Sequence, residues 1–597
     1  MITWFTILVL ALVTFLTVYL IYHYPTKQTP IHVKLFVGIG WFTSFIIVTL
    51  IPFDVSLALG AEGDEHFLYM CWKVIYWTVF CLCWFFMPIL MNYHQAGEFT
   101  VLSKLQKALF VYIRYHVILA AVGGALLLYA YIAHGLTLTD ITAFLIIISN
   151  CWGLILIITL LGYGLVAIPR SWWNYGNLEH ALDYVAMKAF FMDEALIEAK
   201  YQLDQHVGMI MSLDKQIVKE TKLREWYEIM LSICPEESLQ HNRAISGYRV
   251  DSKEVVNEKK LIKINLDLKK LISNYIRTKC RWEELLKEAF HIQDIVNNKK
   301  NPEKKIESAF WSKRAGKLGR SIEVSEWLWF CWINPILARV IALLLYFASI
   351  WIIVGESTLF IDTPVAAFPI LFEHEYGDEA TQILCFFILL YIIVSTYLAL
   401  FKLKLGGKFG LYAPRLTDPP NLLWCATFMA RLVAPLSYNF LLLIKVTDTQ
   451  FNKVMKNINL IPIFGSGFAM YVPLLLLVFC LMNFFNIHTK IMASLGMSQF
   501  SFGDKYDKEK LKEGQALIKK FRAEKERKGV SPSFASNAGY FQRIATGGLE
   551  EQKASFVSVR SERRGSARAA PQYEETKKLI PDASETLKKP KRDIYDF

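Results

Sequence analysis

The chain has 597 residues, of which 54% are hydrophobic and 14% aromatic, and it carries a formal net charge of +12. A soluble protein of this length would divide into several domains with separate cores; here the apolar residues lie in unbroken runs, the mark of a membrane protein. The surplus Lys and Arg flank those runs or sit in the tail, where they serve topology and anionic lipid, so no nucleic acid partner is expected.

A bilayer crossing needs about 20 apolar residues. Nine stretches supply them: 2–23, 34–55, 68–91, 108–133, 141–168, 336–355, 380–402, 421–444 and 466–488. They predict an all-α polytopic bundle of about nine spans, interrupted by one long polar insert. Residues 1–168 hold the first five spans, and 169–324 form the insert. Residues 325–490 hold an interfacial helix and the last four spans. A basic juxtamembrane helix is expected over 491–528 and a disordered tail over 529–597.

The first run has no basic residue before it and no small-residue cleavage site after it, so it reads as an uncleaved anchor. The loops then alternate in charge. Segments 24–36, 92–107 and 402–418 carry Lys27, Lys34, Lys104, Lys107, Lys402, Lys404, Lys408 and Arg415. Segments 54–65 and 356–379 carry acids such as Asp54, Glu62, Glu356 and Glu373, and no Lys or Arg. Basic loops stay in the cytosol, which places the N-terminus outside and the C-terminus inside. Loop 445–465, with Lys445, Lys453 and Lys456, breaks the pattern. The expected compartment is the plasma membrane, ahead of endosome or lysosome.

The insert is patterned as two long helices, 178–231 and 253–298, each with a coiled-coil rhythm. In the second, Leu261, Ile264, Leu268, Leu271, Tyr275, Thr278, Trp282, Leu285, Ala289, Ile292 and Val296 form one seam at alternating steps of three and four. The first seam, from Leu178 to Ile210, is weakened by alanines, and Cys234-Pro235 ends that helix. A polar helix with one apolar stripe must bury the stripe, and an antiparallel hairpin does so most simply. Two readings stand: a self-contained stalk, or a docking surface for a cytosolic partner or a second copy. On the second reading Leu261, Ile264, Leu268, Leu271 and Trp282 are the contact residues.

Trp327, Trp329 and Trp332 before Asn334-Pro335 predict an interfacial helix ahead of the sixth span. Arg431 falls near the middle of the eighth, with Pro435 one turn on and Asn439 beyond; Asn150 lies in the fifth. A midplane arginine costs about 2.5–3.5 kcal/mol on insertion scales, so it should face the bundle or a wet cavity. It is either a ligand or lipid-headgroup contact or a packing residue held by carbonyls or an acid. The cysteines show no paired metal spacing, and no phosphate loop, zinc-protease or nucleophile-elbow motif occurs. No metal, cofactor or enzymatic activity is therefore expected. In the tail, Arg563-Arg564-Gly565-Ser566 fits a basophilic kinase site, and phosphate on Ser566 would weaken attraction to anionic lipid.

The fifth span and its exit carry Asn150, Cys151, Trp152 and Gly153, then Gly162 and Gly164, then Pro169 and Arg170 before Trp172-Trp173-Asn174. Pro52-Phe53-Asp54-Val55, Tyr76-Trp77, Pro88, the segment Arg431–Leu441, Leu495-Gly496, Gln499-Phe500, Glu513-Gly514 and Leu517-Ile518-Lys519-Lys520 follow in register. This set resembles the limb-region-like membrane protein family, which includes lipocalin-interacting membrane receptors and lysosomal vitamin B12 exporters. The resemblance covers roughly residues 1–525 and is nearest to the second domain-containing branch. It implies nine spans, an outward N-terminus and a long cytosolic coiled-coil loop. It also implies roles in ligand uptake, cobalamin traffic or receptor signalling, the last in this branch. The expected function is a non-enzymatic receptor-like or adaptor protein. Its partners would be membrane lipids, cytosolic signalling or trafficking proteins and other receptors, including G-protein-coupled ones, with self-association left open. The alternative is a transporter or lipid-handling bundle with a site near Arg431.

Overall fold

The computed structural model describes residues 4–134, 138–217, 221–244, 257–308, 317–359, 368, 371–372, 377–402, 409–446, 448–455, 472–487 and 508–528. Among them every regular element is a helix, apart from one isolated bridge between Pro25 and Thr417. The fold is an all-α polytopic bundle. A chain without water around it must satisfy its backbone within each segment, and helices do so.

The first span is α1 (Trp4–His23). The second is α2 (Ile31–Phe45) and α3 (Ile47–Ala58), which meet at a kink at Ile46. The third runs as α4 (Glu65–Cys81), a π turn over Leu82–Phe86, and α5 (Met87–Gln95). Then come α6 (Val101–His134) and α7 (Leu138–Tyr175). The insert contains α8 (Leu178–Ser212), α9 (Lys222–Ile233), α10 (Glu236–Ala244) and α11 (Glu258–Asn298). The sixth span joins α12 (Lys317–Leu328), a second π turn over Trp329–Ile333, and α13 (Asn334–Ser357). The seventh is α14 (Asp378–Lys402) and the eighth α15 (Pro419–Arg431) with α16 (Val433–Leu443). A short α17 (Gln450–Val454), then α18 (Leu474–Phe484) and α19 (Lys508–Lys528) are the last elements among the described residues.

Eight of these stretches are long and apolar enough to cross a membrane by length and composition. The ninth, expected over 466–488, contributes α18, and its first residues lie outside those described. The interfacial helix expected over 325–334 is no separate element: α12 runs through the π turn into α13, and Trp327 Nε1 donates to Asn298 O at 2.9 Å.

Helix α7 is the hub. It packs on α13, α14, α16 and α18, and Ile157, Ile158, Leu160 and Leu161 are wholly buried on more than one of its faces. Helix α6 is the opposite case, with an apolar surface exposed almost all round and α5 as its main neighbour.

Contacts among the loops show which of them share a side. Asn265 Nδ2 in α11 donates to Gly97 O at 2.7 Å, and Arg277 and Arg281 lie 4.7 and 5.0 Å over the Tyr412 ring. Arg415 N donates to His23 O at 2.8 Å. The basic loops thus sit together on the insert's side. At the other end Gln450 and Lys453 bond to Glu65 at 2.7 and 3.3 Å. This resolves the charge exception: Lys453 pairs with Glu65 and Asp448, so it arrives with acids that neutralise it.

In the insert, α8 and α11 pack antiparallel. Leu203, Val207 and Ile210 meet Leu261, Ile264 and Leu268 at one end, and Val185 and Ala189 meet Leu285, Leu286 and Ala289 at the other. The single helix expected over 178–231 is instead broken after Ser212. Leu213 and Ile217 turn into the core, and Arg224 Nη1 clasps Asp214 Oδ1 at 2.6 Å, which reverses the chain into α9. Of the juxtamembrane helix expected over 491–528, residues 508–528 are described and are helical, 491–507 lie outside the described residues, and the helix does not stand alone. α19 lies on α8 and α11 as a third helix, with Ile518 buried and Phe521 5.4 Å from the Trp282 ring. Gly514 is required there: a Cβ would collide with the backbone carbonyl of Ala186.

This arrangement changes the seam's part. Leu261, Ile264, Leu268 and Trp282 are buried within the protein, and Leu271 is half-buried. As a docking face for a partner the seam is therefore closed, because its apolar side chains already fill the insert's own core. Among the described residues the most exposed large apolar side chains of the insert lie elsewhere, on α8, at Ile197 (63% exposed) and Tyr201 (57% exposed).

Candidate functional site within the helix bundle

Prolines in the spans leave backbone carbonyls without their helical N–H partner. In the third span Met87 N bonds back to Leu82 O, a five-residue step, and Pro88 cannot give the next such bond to Cys83 O. Arg431 fills that gap: its Nη2 donates to Cys83 O at 3.3 Å. Cys83 Sγ in turn approaches Thr427 O at 3.6 Å, and Thr427 Oγ1 donates to Met87 Sδ at 3.1 Å. The guanidinium also sits 5.8 Å over the Phe428 ring. It is paired with no acid among the described residues, and its side chain is exposed. The eighth span breaks at Leu432, just beyond it.

The fifth span repeats the device. Pro169 would have bonded to Leu165 O; instead Ser349 Oγ of α13 donates to that carbonyl at 2.7 Å, and Ser349 and Tyr391 hydroxyls meet at 2.6 Å. The glycines of the same span mark where neighbours approach most closely. A Cβ at Gly153 would lie 2.6 Å from Pro435, one at Gly162 2.7 Å from Phe479 Cβ, and one at Gly164 would strike Ser395 O. Arg170 then holds the end of α18: Nη1 donates to Asn486 Oδ1 at 2.7 Å and Nη2 to Phe484 O at 2.8 Å. Trp152 stands apart at 68% exposed, and the Asn150 side chain lies outside those described. The signature residues of this span therefore hold the eighth, ninth and seventh spans around one helix.

Of the candidates near Arg431, the structure joins Pro435 to Gly153 but sends Asn439 elsewhere. Eight residues of helix separate Arg431 from Asn439 by about 12 Å, and Asn439 Nδ2 donates to Glu356 Oε1 at 2.6 Å. Glu356 and Asp54, read above as loop acids, both belong to helices and are buried. Asp54 is the most connected of all. Its Oδ1 accepts Gln450 N at 2.8 Å, and its Oδ2 accepts Phe451 N at 2.8 Å and Trp72 Nε1 at 2.9 Å. One carboxylate thus ties α3, α4 and the start of α17 together. The available signal was an acid one turn inside the end of an apolar run, which hydropathy alone assigns to the loop.

In the insert, on α11, Lys269 is held down to about 8 by burial and then by the like charge of Lys104, with Glu98 pulling the other way. Ser566 lies outside the described residues.

The profile of LMBR1-like membrane proteins matches residues 2–488. The chain belongs to that family. It is 26% identical over 575 residues to the G-protein coupled receptor-associated protein LMBRD2 of Gallus gallus, covering 86% of this chain and 83% of the relative. The Homo sapiens protein of the same name is 26% identical over 583 residues, with the same two coverages. LMBR1 domain-containing protein 2 homolog A of Dictyostelium discoideum is 25% identical over 568 residues, covering 85% and 76%. No solved structure gives a significant match. The family match spans both halves of the bundle and the insert between them, and its members named for domain-containing protein 2 agree with the branch suggested by the fifth-span residues.

Proposed function

We propose that this LMBR1-like protein is a non-enzymatic receptor-associated adaptor. Its bundle sits beside a receptor in the plasma membrane, the N-terminus outside. The insert and α19 form a cytosolic three-helix platform for a signalling or trafficking protein. The observation that carries this reading is the platform itself: three helices from two distant parts of the chain close their own apolar seam, leaving Ile197 and Tyr201 of α8 uncovered one turn apart. A stalk that only linked two spans would need neither α19 nor an exposed aromatic on its outer face. The printed names of the relatives, receptor-associated in bird and human, support the receptor side of the reading.

The test is proximity labelling in cells, with the full chain fused to a labelling enzyme and a panel of G-protein-coupled receptors co-expressed. Labelling of receptors and of cytosolic signalling proteins above an unrelated multi-pass control is expected. Ile197→Asp with Tyr201→Asp should lower the cytosolic set about tenfold, as loss of a small hot spot does, while receptor labelling persists. Equal labelling in the control, or labelling on the outer side of the membrane, would defeat the proposal.

A further inference from the structure

Glu356 and Asn439 form a pair unlike any other polar contact in the bundle. Glu356 ends the sixth span on α13, and Asn439 lies in the middle of α16 in the eighth; both side chains are buried. They share one hydrogen bond, from Asn439 Nδ2 to Glu356 Oε1 at 2.6 Å. The other arm of each group, Glu356 Oε2 and Asn439 Oδ1, is buried with no partner. As a carboxylate and an amide these two atoms are both acceptors, so neither can satisfy the other. Buried acceptors left in this state are costly, and an isolated buried charge more so.

One proton removes both faults. On Oε2 it turns that atom into a donor, and Asn439 Oδ1 is the acceptor on the amide already bound to the same carboxyl. A carboxylic acid and a primary amide close in this way as a planar ring with two hydrogen bonds. We propose that Glu356 binds a proton between Oε2 and Asn439 Oδ1, making the pair a neutral acid–amide clasp between the sixth and eighth spans. Release of the proton leaves a bare carboxylate and two orphan acceptors at that junction, so the clasp opens when it is deprotonated.

The surroundings fit a neutral group. Gly355 packs against Phe368 and Leu443, and on α14 the Tyr391 hydroxyl is engaged with Ser349. Among the described residues no Lys, Arg, Asp or second Glu bonds to Glu356, and Asn439 is its one hydrogen-bond partner. Among the described residues, the charged groups of the elements packed around the pair are Asp54 on α3, Arg170 on α7, Arg339 on α13 itself, Asp378, Glu379 and Lys402 on α14, and Lys445 beyond the end of α16; the uncharged titratable ones include Tyr163, Tyr346, Tyr391, Tyr397 and Tyr438 and the thiols of Cys385 and Cys480. The hydroxyl of Ser357, next to Glu356 in the chain, is also buried without a partner, and no cation bonds to the pair among the described residues.

The experiment uses the purified full-length chain in nanodiscs. Difference infrared spectra of wild type and Glu356→Gln at neutral pH should show one protonated-carboxyl C=O band that the variant lacks. Gln reproduces the donor and acceptor of the neutral acid, so Glu356→Gln should keep the wild-type melting midpoint, whereas Glu356→Leu and Asn439→Leu should fall by several degrees. Absence of the band overturns the proposal, because the group is then charged. So does a Glu356→Gln midpoint as low as that of Glu356→Leu, or a rise in wild-type stability with added metal cations that the Gln variant does not share.

Discussion

Asp54→Asn should loosen the far side of the bundle at one place, and its size follows from the contacts. The carboxylate accepts three hydrogen bonds, from Gln450 N, Phe451 N and Trp72 Nε1, all at 2.8–2.9 Å. Asparagine keeps one oxygen and puts an NH2 where the other stood. If the retained oxygen serves Phe451 and Trp72, Gln450 N faces a second donor; the other orientation strands two donors. Losing a hydrogen bond to a charged group costs about 1.5–3 kcal/mol, and leaving a buried donor unmet about 1–3 kcal/mol. The sum, about 2.5–6 kcal/mol, falls on the first turn of α17, which is otherwise held by the buried Phe451 ring against Trp72 and by hydrogen bonds that include Asn452 N to Thr449 Oγ1 at 3.3 Å and those to Glu65. At 1.4 kcal/mol per tenfold, local opening should rise about 10²–10⁴-fold. Amide hydrogen exchange read by mass spectrometry over 448–455 measures it, with the exchange of α14 as internal control. Exchange within about threefold of wild type would show that Asp54 does not hold this turn, and the argument from its hydrogen bonds would be refuted.

Lys269 supplies a pH test with a definite sign. Its folded value of about 8 lies below the ordinary 10.5, so the folded insert binds that proton less tightly than the unfolded chain, and stability rises as pH climbs from about 8 to 10.5. Protease resistance of the insert in the detergent-solubilised full chain should therefore increase from neutral pH to pH 9, and Lys269→Met should remove that increase; a decrease, or no difference from the variant, contradicts it. Arg431→Leu should strip Cys83 O of its donor, at about 1.5–3 kcal/mol for a hydrogen bond from a charged group, and lower the melting midpoint with the content of co-purifying anionic lipid unchanged. A loss of bound lipid at constant stability would instead make Arg431 a headgroup contact, as the alternative reading of the sequence holds.

The spans were legible because about 20 apolar residues in a row admit few other fates, and the parity of the loops followed from Lys and Arg placement. The heptad seam was legible too, but its occupant was not. Periodicity shows that Leu261, Leu268 and Trp282 must be covered, and it is silent on whether the cover is another molecule or helices of the same chain: α8 and α9 over Leu261 and Leu268, and over Trp282 also α19, some two hundred residues later. The break after Ser212 left no mark either, since no Pro or Gly stands there and the apolar rhythm continues through Leu213 and Ile217. Asp54 and Glu356 were hidden for a different reason. Each sits at the rim of an apolar run, and only three-dimensional placement distinguishes a rim acid facing water from one turned into the bundle. The prolines show the reverse: Pro88 and Pro169 were visible as letters, and their meaning, a carbonyl left for Arg431 or Ser349, appeared only when the neighbouring spans were in place.

The position of α19 sets a schedule for biosynthesis. A ribosome that has finished α11 still has 230 residues to add before Lys528 emerges, which takes about 10–45 s at 5–20 residues per second. Throughout that interval the faces around Ala186 and Trp282 are bare, a site for chaperones to hold. A message truncated anywhere between the two helices yields a protein that never covers them and that quality control can sort from the finished product.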